Sequence, residues 1–237
     1  MFNEVRIFGQ KSYANCWLPI MTESTAVSEA FRRLTWPYKI KAPFRWINIR
    51  LLDKKTYDQE KEYDFRGTPS VYCSICEDME RLDSSYNMLP DEEKRLLFFN
   101  SIQKTVEKCI ILYNWDANIF QKIFLQMQQD KLLDEYFYEK KIWINKKRYL
   151  LSIKIVGDLY DYKFFIVLYD SKLDIYNQKL FMTHTTRDRF VYWATIKGWT
   201  IENDSLVCWE YINKYFFSIP DLECYCINNK TGEKTSI

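Results

Sequence analysis

The chain has 237 residues, enough for one large domain or two small ones and for burial of roughly 70% of the surface that the unfolded chain exposes. Lys and Arg number 34 against 32 Asp and Glu, a formal net charge of +2, so bulk charge does not attract the phosphates of nucleic acid. Hydrophobic residues make up 47% of the chain, which supplies a large core, and aromatic residues make up 18%.

Glycine and histidine are scarce, and their scarcity excludes several kinds of site. The five glycines stand far apart in the sequence: Gly9, Gly67, Gly157, Gly198 and Gly232. The phosphate-binding patterns GxxxxGK[ST] and GxGxxG and the hydrolase nucleophile turn GxSxG are therefore missing. His184 is the single histidine, which excludes the two-histidine metal motif HExxH and any reaction that needs separate acid and base histidines.

Cysteine usage and the N-terminal sequence indicate the compartment. The sequence begins MFNEVRIFGQKSY, without the basic and then apolar regions of a secretory signal, and charges interrupt every apolar stretch long enough to span a membrane. Seven cysteines, an odd number without an export signal, are typical of reduced thiols. We therefore expect a cytoplasmic protein with no membrane contact and no cofactor.

The first 86 residues alternate short elements and form a β-rich segment with one short helix. Residues 5–8, 44–52 and 70–76 have the apolar and β-branched composition of strands, and residues 25–34 predict the helix. In the second strand, alternate residues form an apolar face that we expect to be buried: Ile47, Ile49 and Leu51.

The middle of the chain predicts two antiparallel helices. Pro90 and the acids after it mark a helix start, because proline suits the first turn and the helix dipole favours negative charge there. Asn114 and Trp115 interrupt the pattern, and Asp116 is placed to cap a second helix. Apolar residues recur at helical spacing in both: Phe99, Ile102, Val106, Cys109, Ile110, Tyr113, Ile119, Phe120, Ile123, Phe124 and Met127.

From about Lys140 onward, apolar residues no longer recur at helical spacing but alternate with polar residues. Tyr149, Leu151, Ile153 and Ile155 alternate, and the next apolar stretch, residues 164–169, has the pattern of a strand covered on both faces. Short connections between successive strands, including a hairpin at residues 202–204, favour an antiparallel meander over residues 141–217.

These elements predict an α+β fold in which a two-helix antiparallel hairpin packs on a mainly antiparallel β-sheet. The expected organisation is a β-rich N-terminal segment at residues 1–86, the helices and meander at 87–217, and a partly frayed tail at 218–237. Whether the chain is one domain or two stays open.

Two pairs of closely spaced cysteines allow a zinc hypothesis. Cys73, Cys76, Cys224 and Cys226 could together supply four thiolates to a tetrahedral zinc ion. However, Cys73 and Cys76 lie in a predicted strand, where residues three apart point to opposite faces. We favour small buried side chains over a zinc site, and also over a redox CxxC, which has to open a helix after a strand.

Asp158, Asp161 and Lys163 allow a second hypothesis, a metal-dependent nuclease. Such a site needs further carboxylates that converge on the metal, whereas the sequence GDLYD is typical of a hairpin turn. His184 has no recognisable nucleophile or orienting group, so we interpret it as structural. The aromatic residues fall on predicted core faces and are assigned to packing rather than to a nucleic-acid stacking platform. We therefore assign no catalytic residue.

Two stretches of the sequence carry a resemblance to a known family. They are residues 90–127, PDEEKRLLFFNSIQKTVEKCIILYNWDANIFQKIFLQM, and the later GWTIENDSLVCWE. Over residues 88–217, this layout resembles bacterial immunity proteins that accompany polymorphic or contact-delivered toxins. They share an amphipathic helix, a Trp-Asp junction, a second helix and an antiparallel meander with a Gly-Trp hairpin. The resemblance implies a cytoplasmic, non-enzymatic protein that binds a toxin, and it leaves the N-terminal segment unexplained.

Three classes of function follow from the sequence. The first is a protein-binding module, such as an immunity protein with a cognate toxin as its partner and without nucleic-acid binding. The second is a structural or regulatory scaffold subunit. The third is an enzyme that uses carboxylates alone, such as a metal-dependent nuclease.

Overall fold

A computed structural model of the protein describes residue 2 and residues 4–144, 146–170, 172, 174–185, 198–202, 205–209, 213–218 and 221–237. The chain contains both helices and β-sheets, as predicted. It divides into two compact units. Unit 1 consists of Met1–Asp134 and Asp158–Tyr160, and unit 2 of Glu135–Gly157 and Asp161–Ile237.

Unit 1 is an α/β unit built on a three-stranded parallel sheet. Its strands lie side by side in chain order: β1 (Glu4–Phe8), β2 (Trp46–Leu52) and β3 (Ser70–Cys76). Within the described residues of unit 1, six α-helices accompany them: α1 (Trp17–Glu23), α2 (Thr25–Thr35), α3 (Lys54–Glu60), α4 (Met79–Ser85), α5 (Asp91–Tyr113) and α6 (Ala117–Gln129).

The predicted helix pair is present, with the expected start and stop signals. Three acids occupy the first turn of α5 after Pro90, and Asn114 ends the helix in the left-handed conformation, with φ of 52°. Asp116 caps α6 by accepting a hydrogen bond from the Asn118 N–H at 2.9 Å. Between the helices, the indole N–H of buried Trp115 donates to the carbonyl of Lys41 at 2.9 Å.

The predicted packing of this helix pair on the antiparallel sheet is not confirmed. The buried side chains of α5 and α6 belong to one hydrophobic core with the parallel sheet of unit 1. Thr105 of α5 donates a hydrogen bond to the Cys73 sulfur of β3 at 3.4 Å, and Phe31 of α2 stacks on Phe120 of α6 at 6.4 Å between ring centroids. An amphipathic face predicts that a side chain is buried, but it does not specify the partner.

The N-terminal segment also differs from its prediction, because residues 1–86 contain four α-helices rather than one. Of these, α1, α3 and α4 have seven residues each, two turns or less, so their sequences show no sustained helical period. Asp53 and Asp78 cap α3 and α4 through the N–H groups of Thr56 and Arg81.

Residues 158–160 belong to unit 1 because buried and charged groups there hold them. Leu159 is buried in the core of unit 1, and Asp158 accepts a hydrogen bond from Arg95 at 2.7 Å. The Tyr160 hydroxyl donates to Asp91 at 2.8 Å and accepts from the buried Lys94 ammonium at 3.1 Å.

Unit 2 contains two sheets. The four-stranded sheet has the order β4 (Asp134–Ile144), β5 (Lys147–Gly157), β6 (Asp161–Tyr169) and β7 (Ile175–Thr185). The five-stranded sheet is formed by β8 (Gly198–Glu202), β9 (Ser205–Trp209), β10 (Asn213–Ser218), β11 (Cys224–Asn228) and β12 (Lys234–Ser236), and β12 and β8 are its outermost strands.

The pairing in unit 2 follows the predicted alternation. Strand β6 pairs antiparallel with β5 and β7, and β10 pairs antiparallel with β9 and β11. Ile153 and Ile155 are buried, and Ile166, Val167 and Leu168 are buried in succession, as expected for a strand covered on both faces. The predicted hairpin corresponds to β8 and β9, with Glu202 opposite Ser205; residues 203 and 204 lie outside the described residues.

The predicted frayed tail contains β11 and β12. A turn joins them, in which the Asn228 side chain accepts from the N–H groups of Lys230 and Thr231, and the Gly232 N–H donates to the Asn228 carbonyl at 2.9 Å. Gly232 has φ of 72°, a conformation that glycine adopts without strain. The polar sequence NNKTGEK is therefore a hairpin turn.

We predict that Phe120→Ala lowers the free energy of unfolding by about 3–5 kcal/mol, because it leaves a cavity in the core. Phe120 is 1% exposed and stacks on Trp115 at 5.2 Å. Leu125→Ala on the same helix is the matched control, since Leu125 is 52% exposed, and it changes the stability by less than about 1 kcal/mol. Urea unfolding measures both, and equal stabilities of the two variants would contradict the assigned packing.

Asp134 is a buried carboxylate at the boundary of unit 1. It is 1% exposed, and Arg33 donates to it at 3.0 Å; the nearby Glu29 and Arg32 pair with each other at 2.7 Å. Burial raises the pKa of Asp134 to about 6, although Arg33 opposes the shift. The folded state therefore retains a proton at a pH where the unfolded state has lost it.

A carboxyl whose pKa is raised on folding contributes stability that is present below its unfolded pKa and lost as the pH rises through its folded value. Acidification from pH 7 to about pH 4 therefore stabilises the wild type relative to Asp134→Asn, by on the order of 1–3 kcal/mol. Urea unfolding at several pH values, followed by helical circular dichroism, measures the difference. Parallel pH profiles of the two proteins would show that Asp134 does not titrate in this range.

Candidate functional site

The two faces of the parallel sheet carry different residues. One face is apolar and packs in the core of unit 1, with Val5, Ile47 and Val71 aligned across the three strands. The intervening residues form the outer face: Glu4, Arg6, Phe8, Trp46, Asn48, Arg50, Leu52, Ser70, Tyr72, Ser74 and Cys76. Parallel sheets are normally covered on both faces, so a face with several half-exposed side chains is unusual.

Cation–aromatic pairs cover much of the outer face. The Arg6 guanidinium lies 5.5 Å from the centre of the Trp46 ring, and the Arg50 guanidinium lies 4.8 Å from the centre of the Tyr72 ring. Arg6 also donates to Glu4 at 2.8 Å, and this hydrogen bond raises the pKa of Arg6. The four side chains therefore form an ordered layer, in which Tyr72 is 45% exposed.

Arg50 is the most firmly held member of this layer. It pairs with Glu60 at the end of α3 and donates to the Ser74 hydroxyl at 3.1 Å. Its Nε is buried and has no hydrogen-bond partner among the described residues. Arg50 therefore links the centre of the outer face to α3 and keeps one polar atom unsatisfied.

The free edge of β3 is closed by side chains and loop backbone. The Asp64 carboxylate accepts from the Ser74 N–H at 2.8 Å, the Phe65 N–H donates to the Tyr72 carbonyl at 2.8 Å, and Lys108 donates to the Ser74 carbonyl at 2.9 Å. These groups occupy the donors and acceptors that another strand would use. The exposed part of β3 is therefore its outer face.

The outer face continues into a pocket at the carboxyl end of the sheet, where open α/β sheets commonly bind ligands. This sheet-edge pocket has a volume of about 600 Å³. It is lined by Tyr13, Asp53, Lys54, Lys55, Cys76, Glu77, Asp78, Met79 and Glu80. Cys76 belongs to both the pocket and the outer face.

A hydrogen-bond network fixes the wall of the pocket. The Gln10 amide donates to the Asp53 carboxylate at 3.0 Å and accepts from the Asp53 N–H at 2.9 Å, and the Tyr13 hydroxyl donates to Asp53 at 3.1 Å. The Thr56 N–H donates to the same carboxylate at 2.7 Å and is the main reason that the pKa of Asp53 falls to about 2. Asp53 is therefore ionised, and both of its carboxylate oxygens accept hydrogen bonds from neighbouring groups.

The four cysteines of the zinc hypothesis lie in two strands of different units. Cys73 is buried and Cys76 is exposed on the opposite face of β3, as their spacing predicts, so the expectation of a small buried side chain is wrong for Cys76. Cys224 and Cys226 lie in β11 of unit 2. No group of three or more His, Cys, Asp or Glu side chains that could hold a metal ion occurs in the described part of the chain.

The three residues of the nuclease hypothesis do not share one set of contacts. Asp158 pairs with Arg95 in unit 1, whereas Asp161 and Lys163 lie at the start of β6 in unit 2, 3.7 Å apart. His184 lies opposite Tyr162 in the ladder between β7 and β6, and its side chain is outside the described residues. Asp161 and Lys163 thus form an ion pair, and Asp158 has a different partner.

Comparison with known protein families, curated proteins and solved structures gives no match to the chain. None of the described helices is long and apolar enough to cross a membrane. The candidate site is therefore defined by its geometry alone.

We did not predict the outer face as a site from the sequence. Alternation in residues 44–52 places Trp46 and Arg50 on one side of a strand, but it does not show that the strand is the centre of a parallel sheet. The pocket network joins Gln10 to Asp53 across 43 residues of chain, and no local motif marks such a pair.

We predict that thiol alkylation of the native protein modifies Cys76 first among the cysteines of unit 1. Cys16, Cys73 and Cys109 are buried, and burial raises the pKa of each thiol, to about 11 for Cys16. Peptide mapping by mass spectrometry identifies the modified sites, with urea-unfolded protein as the control in which all react. Equal labelling of Cys73 and Cys76 in the native protein would contradict the assigned faces of β3.

Proposed function

We propose that the protein is a non-enzymatic module that binds another protein through the outer face, in a stoichiometric complex. The observation that carries this proposal is the layer of Trp46, Tyr72, Arg6 and Arg50 on a parallel-sheet face that is partly open to solvent. Trp, Tyr and Arg are the residue types that dominate binding energy at protein interfaces.

The order of this layer favours binding. Each arginine is held against an aromatic ring and by a carboxylate, so its side chain loses little conformational freedom when a partner covers it. The buried, unsatisfied Nε of Arg50 offers one further donor if the layer rearranges on binding.

The sheet-edge pocket supplies a charged border to this surface. Lys54 and Lys55 provide positive charge, and Glu77, Asp78 and Glu80 provide negative charge. Protein interfaces commonly combine an aromatic and arginine-rich centre with a polar rim, and charges of both signs at the rim select a partner of complementary pattern.

The class of partner follows from the sequence resemblance to immunity proteins over residues 88–217. On this proposal the partner is a cognate toxin that the protein neutralises by covering its surface. The contact surface lies outside the resembling region, since the three strands belong to residues 4–76. The N-terminal segment therefore carries the recognition, and α5 and α6 support the sheet from its other face.

We predict that Tyr72→Ala weakens binding of the partner at least about tenfold, because it removes an exposed ring and the surface that orders Arg50. Tyr38→Ala is the matched control: Tyr38 is 44% exposed and lies outside the sheet, between α2 and β2. Co-expression with the protein encoded by the neighbouring gene, followed by titration calorimetry of the purified pair, measures both affinities. Growth rescue by the wild type and not by Tyr72→Ala is the matching cellular result.

Equal affinities of Tyr72→Ala and Tyr38→Ala for the partner would show that the partner contacts a surface other than the outer face. A complex that forms without rescue of growth would favour a scaffold subunit over an immunity protein. Metal-dependent cleavage of DNA or RNA by the purified protein, lost in Asp161→Asn, would overturn the binding function in favour of an enzyme.

A further inference from the structure

Residues 36–45, which connect α2 to β2, form a loop with three unpaired positive charges. This loop lies within a stretch, residues 30–52, that has six Lys and Arg residues and no Asp or Glu, in a chain whose net charge is only +2. Carboxylates outside this stretch pair with three of the six cations: Arg32, Arg33 and Arg50. The other three make no side-chain hydrogen bond or ion pair with the described residues, and all lie in the loop: Lys39, Lys41 and Arg45.

The side chains of the 36–45 loop alternate between the core and the solvent. Ile40 and Phe44 are buried in the core of unit 1, whereas Lys39, Lys41 and Arg45 are exposed. An extended chain turns alternate side chains to opposite sides. The loop is therefore attached to the core by its apolar residues and presents its cations together on the solvent side.

Hydrogen bonds fix the backbone of the loop beneath these cations. The Lys41 carbonyl accepts from the indole N–H of Trp115 at 2.9 Å, and the Arg45 N–H donates to the carbonyl of Pro69 at 2.7 Å. A partner therefore meets a surface whose backbone is already ordered, which lowers the entropic cost of binding.

Two exposed aromatic rings begin the loop. Trp36 is 54% exposed and Tyr38 is 44% exposed, and with Pro37 they form a short 3-10 turn directly after α2. Tryptophan and tyrosine have an apolar ring and a polar group, and they are enriched where apolar lipid meets water. The loop thus combines interfacial rings with free positive charge.

Exposed aliphatic side chains lie close to the loop. The ring of Tyr113, the last residue of α5, contacts the Phe44 ring at 5.2 Å between centroids. The two residues before it, Ile111 and Leu112, are 82% and 57% exposed. Stacking on nucleic-acid bases uses aromatic rings. Aliphatic side chains beside a basic loop therefore favour lipid over nucleic acid as the anionic partner.

We infer that this loop binds the surface of an anionic lipid membrane, with Trp36 and Tyr38 among the headgroups and Lys39, Lys41 and Arg45 against the lipid anions. Each lysine or arginine near an anionic leaflet adds to the attraction. Three cations are few for a nucleic-acid contact, whose affinity depends on the number of phosphates neutralised. The contact is peripheral and needs no spanning helix, so it revises the expectation of no membrane contact. It uses residues outside the outer face and does not depend on the proposed function.

Co-sedimentation with lipid vesicles tests this inference. We expect the wild type to sediment with vesicles of mixed phosphatidylcholine and phosphatidylserine, and to stay mostly in solution with vesicles of phosphatidylcholine alone. Lys39→Gln/Lys41→Gln lowers the affinity for the mixed vesicles at least about tenfold, since each cation near the surface contributes about fivefold. Trp36→Ala lowers it at least about threefold, because an interfacial ring is lost.

Two variants outside the loop are the matched controls. Lys11→Gln/Lys122→Gln removes the same charge from exposed positions, and Tyr72→Ala removes a similarly exposed ring from the outer face. Both are expected to bind the mixed vesicles as the wild type does. Conversely, the loop variants retain their affinity for the partner protein in titration calorimetry, so failure of this inference and failure of the proposed function are distinguishable. Circular dichroism verifies that every variant is folded.

A wild type that does not bind the mixed vesicles would overturn the inference, and so would equal binding to phosphatidylcholine alone. Wild-type affinity in the double loop variant would show that the vesicles contact another surface and would also overturn it. A labelled oligouridylate, followed by fluorescence anisotropy, is the nucleic-acid probe. If it binds while the vesicles do not, and the double loop variant abolishes that binding, the loop is a nucleic-acid site instead.

Discussion

The parallel alignment of three strands determines how unit 1 uses its residues. Consecutive parallel strands require a crossover between them, and here the crossovers contain α1, α2 and α3. Such a sheet is stable when both of its faces are shielded from water. The helices α2, α5 and α6 share the core on one face, and a layer of arginine and aromatic side chains shields much of the other. The same layer that completes the sheet is therefore also partly exposed, with Tyr72 as its most open ring.

The outer face and the sheet-edge pocket follow from this arrangement and not from a catalytic motif. Asp53 ends β2, caps α3 and anchors Gln10 and Tyr13, so one carboxylate connects the strand end to the pocket wall. Its oxygens are occupied by these partners, which suits a structural role. Unit 2 has a different construction, because its described strand pairings are antiparallel.

Local features of the fold were predictable, whereas the long-range ones were not. Signals in neighbouring residues predict the helix starts at Pro90 and Asp116 and the apolar spacing of α5 and α6. The alternation in β5 and β6 is equally local. The packing partner of the two helices depends on residues far away in the chain, such as Phe31 of α2, which stacks on Phe120 of α6. Strand direction left no local signal either: the three strands of the N-terminal segment form a parallel sheet of their own, separate from the antiparallel strands expected at residues 141–217. The outer face could not be predicted from the sequence for the same reason, because its residues become neighbours only after three distant strands align.

The central claim is that a partner protein covers the outer face of the parallel sheet. Hydroxyl-radical footprinting, read by mass spectrometry, tests this claim directly by comparing the free protein with its complex with the neighbouring gene product. The account predicts that Trp46 and Tyr72 are oxidised in the free protein and become protected in the complex, while the buried Trp115 is unreactive in both. A complex in which Tyr72 remains as reactive as in the free protein would contradict it.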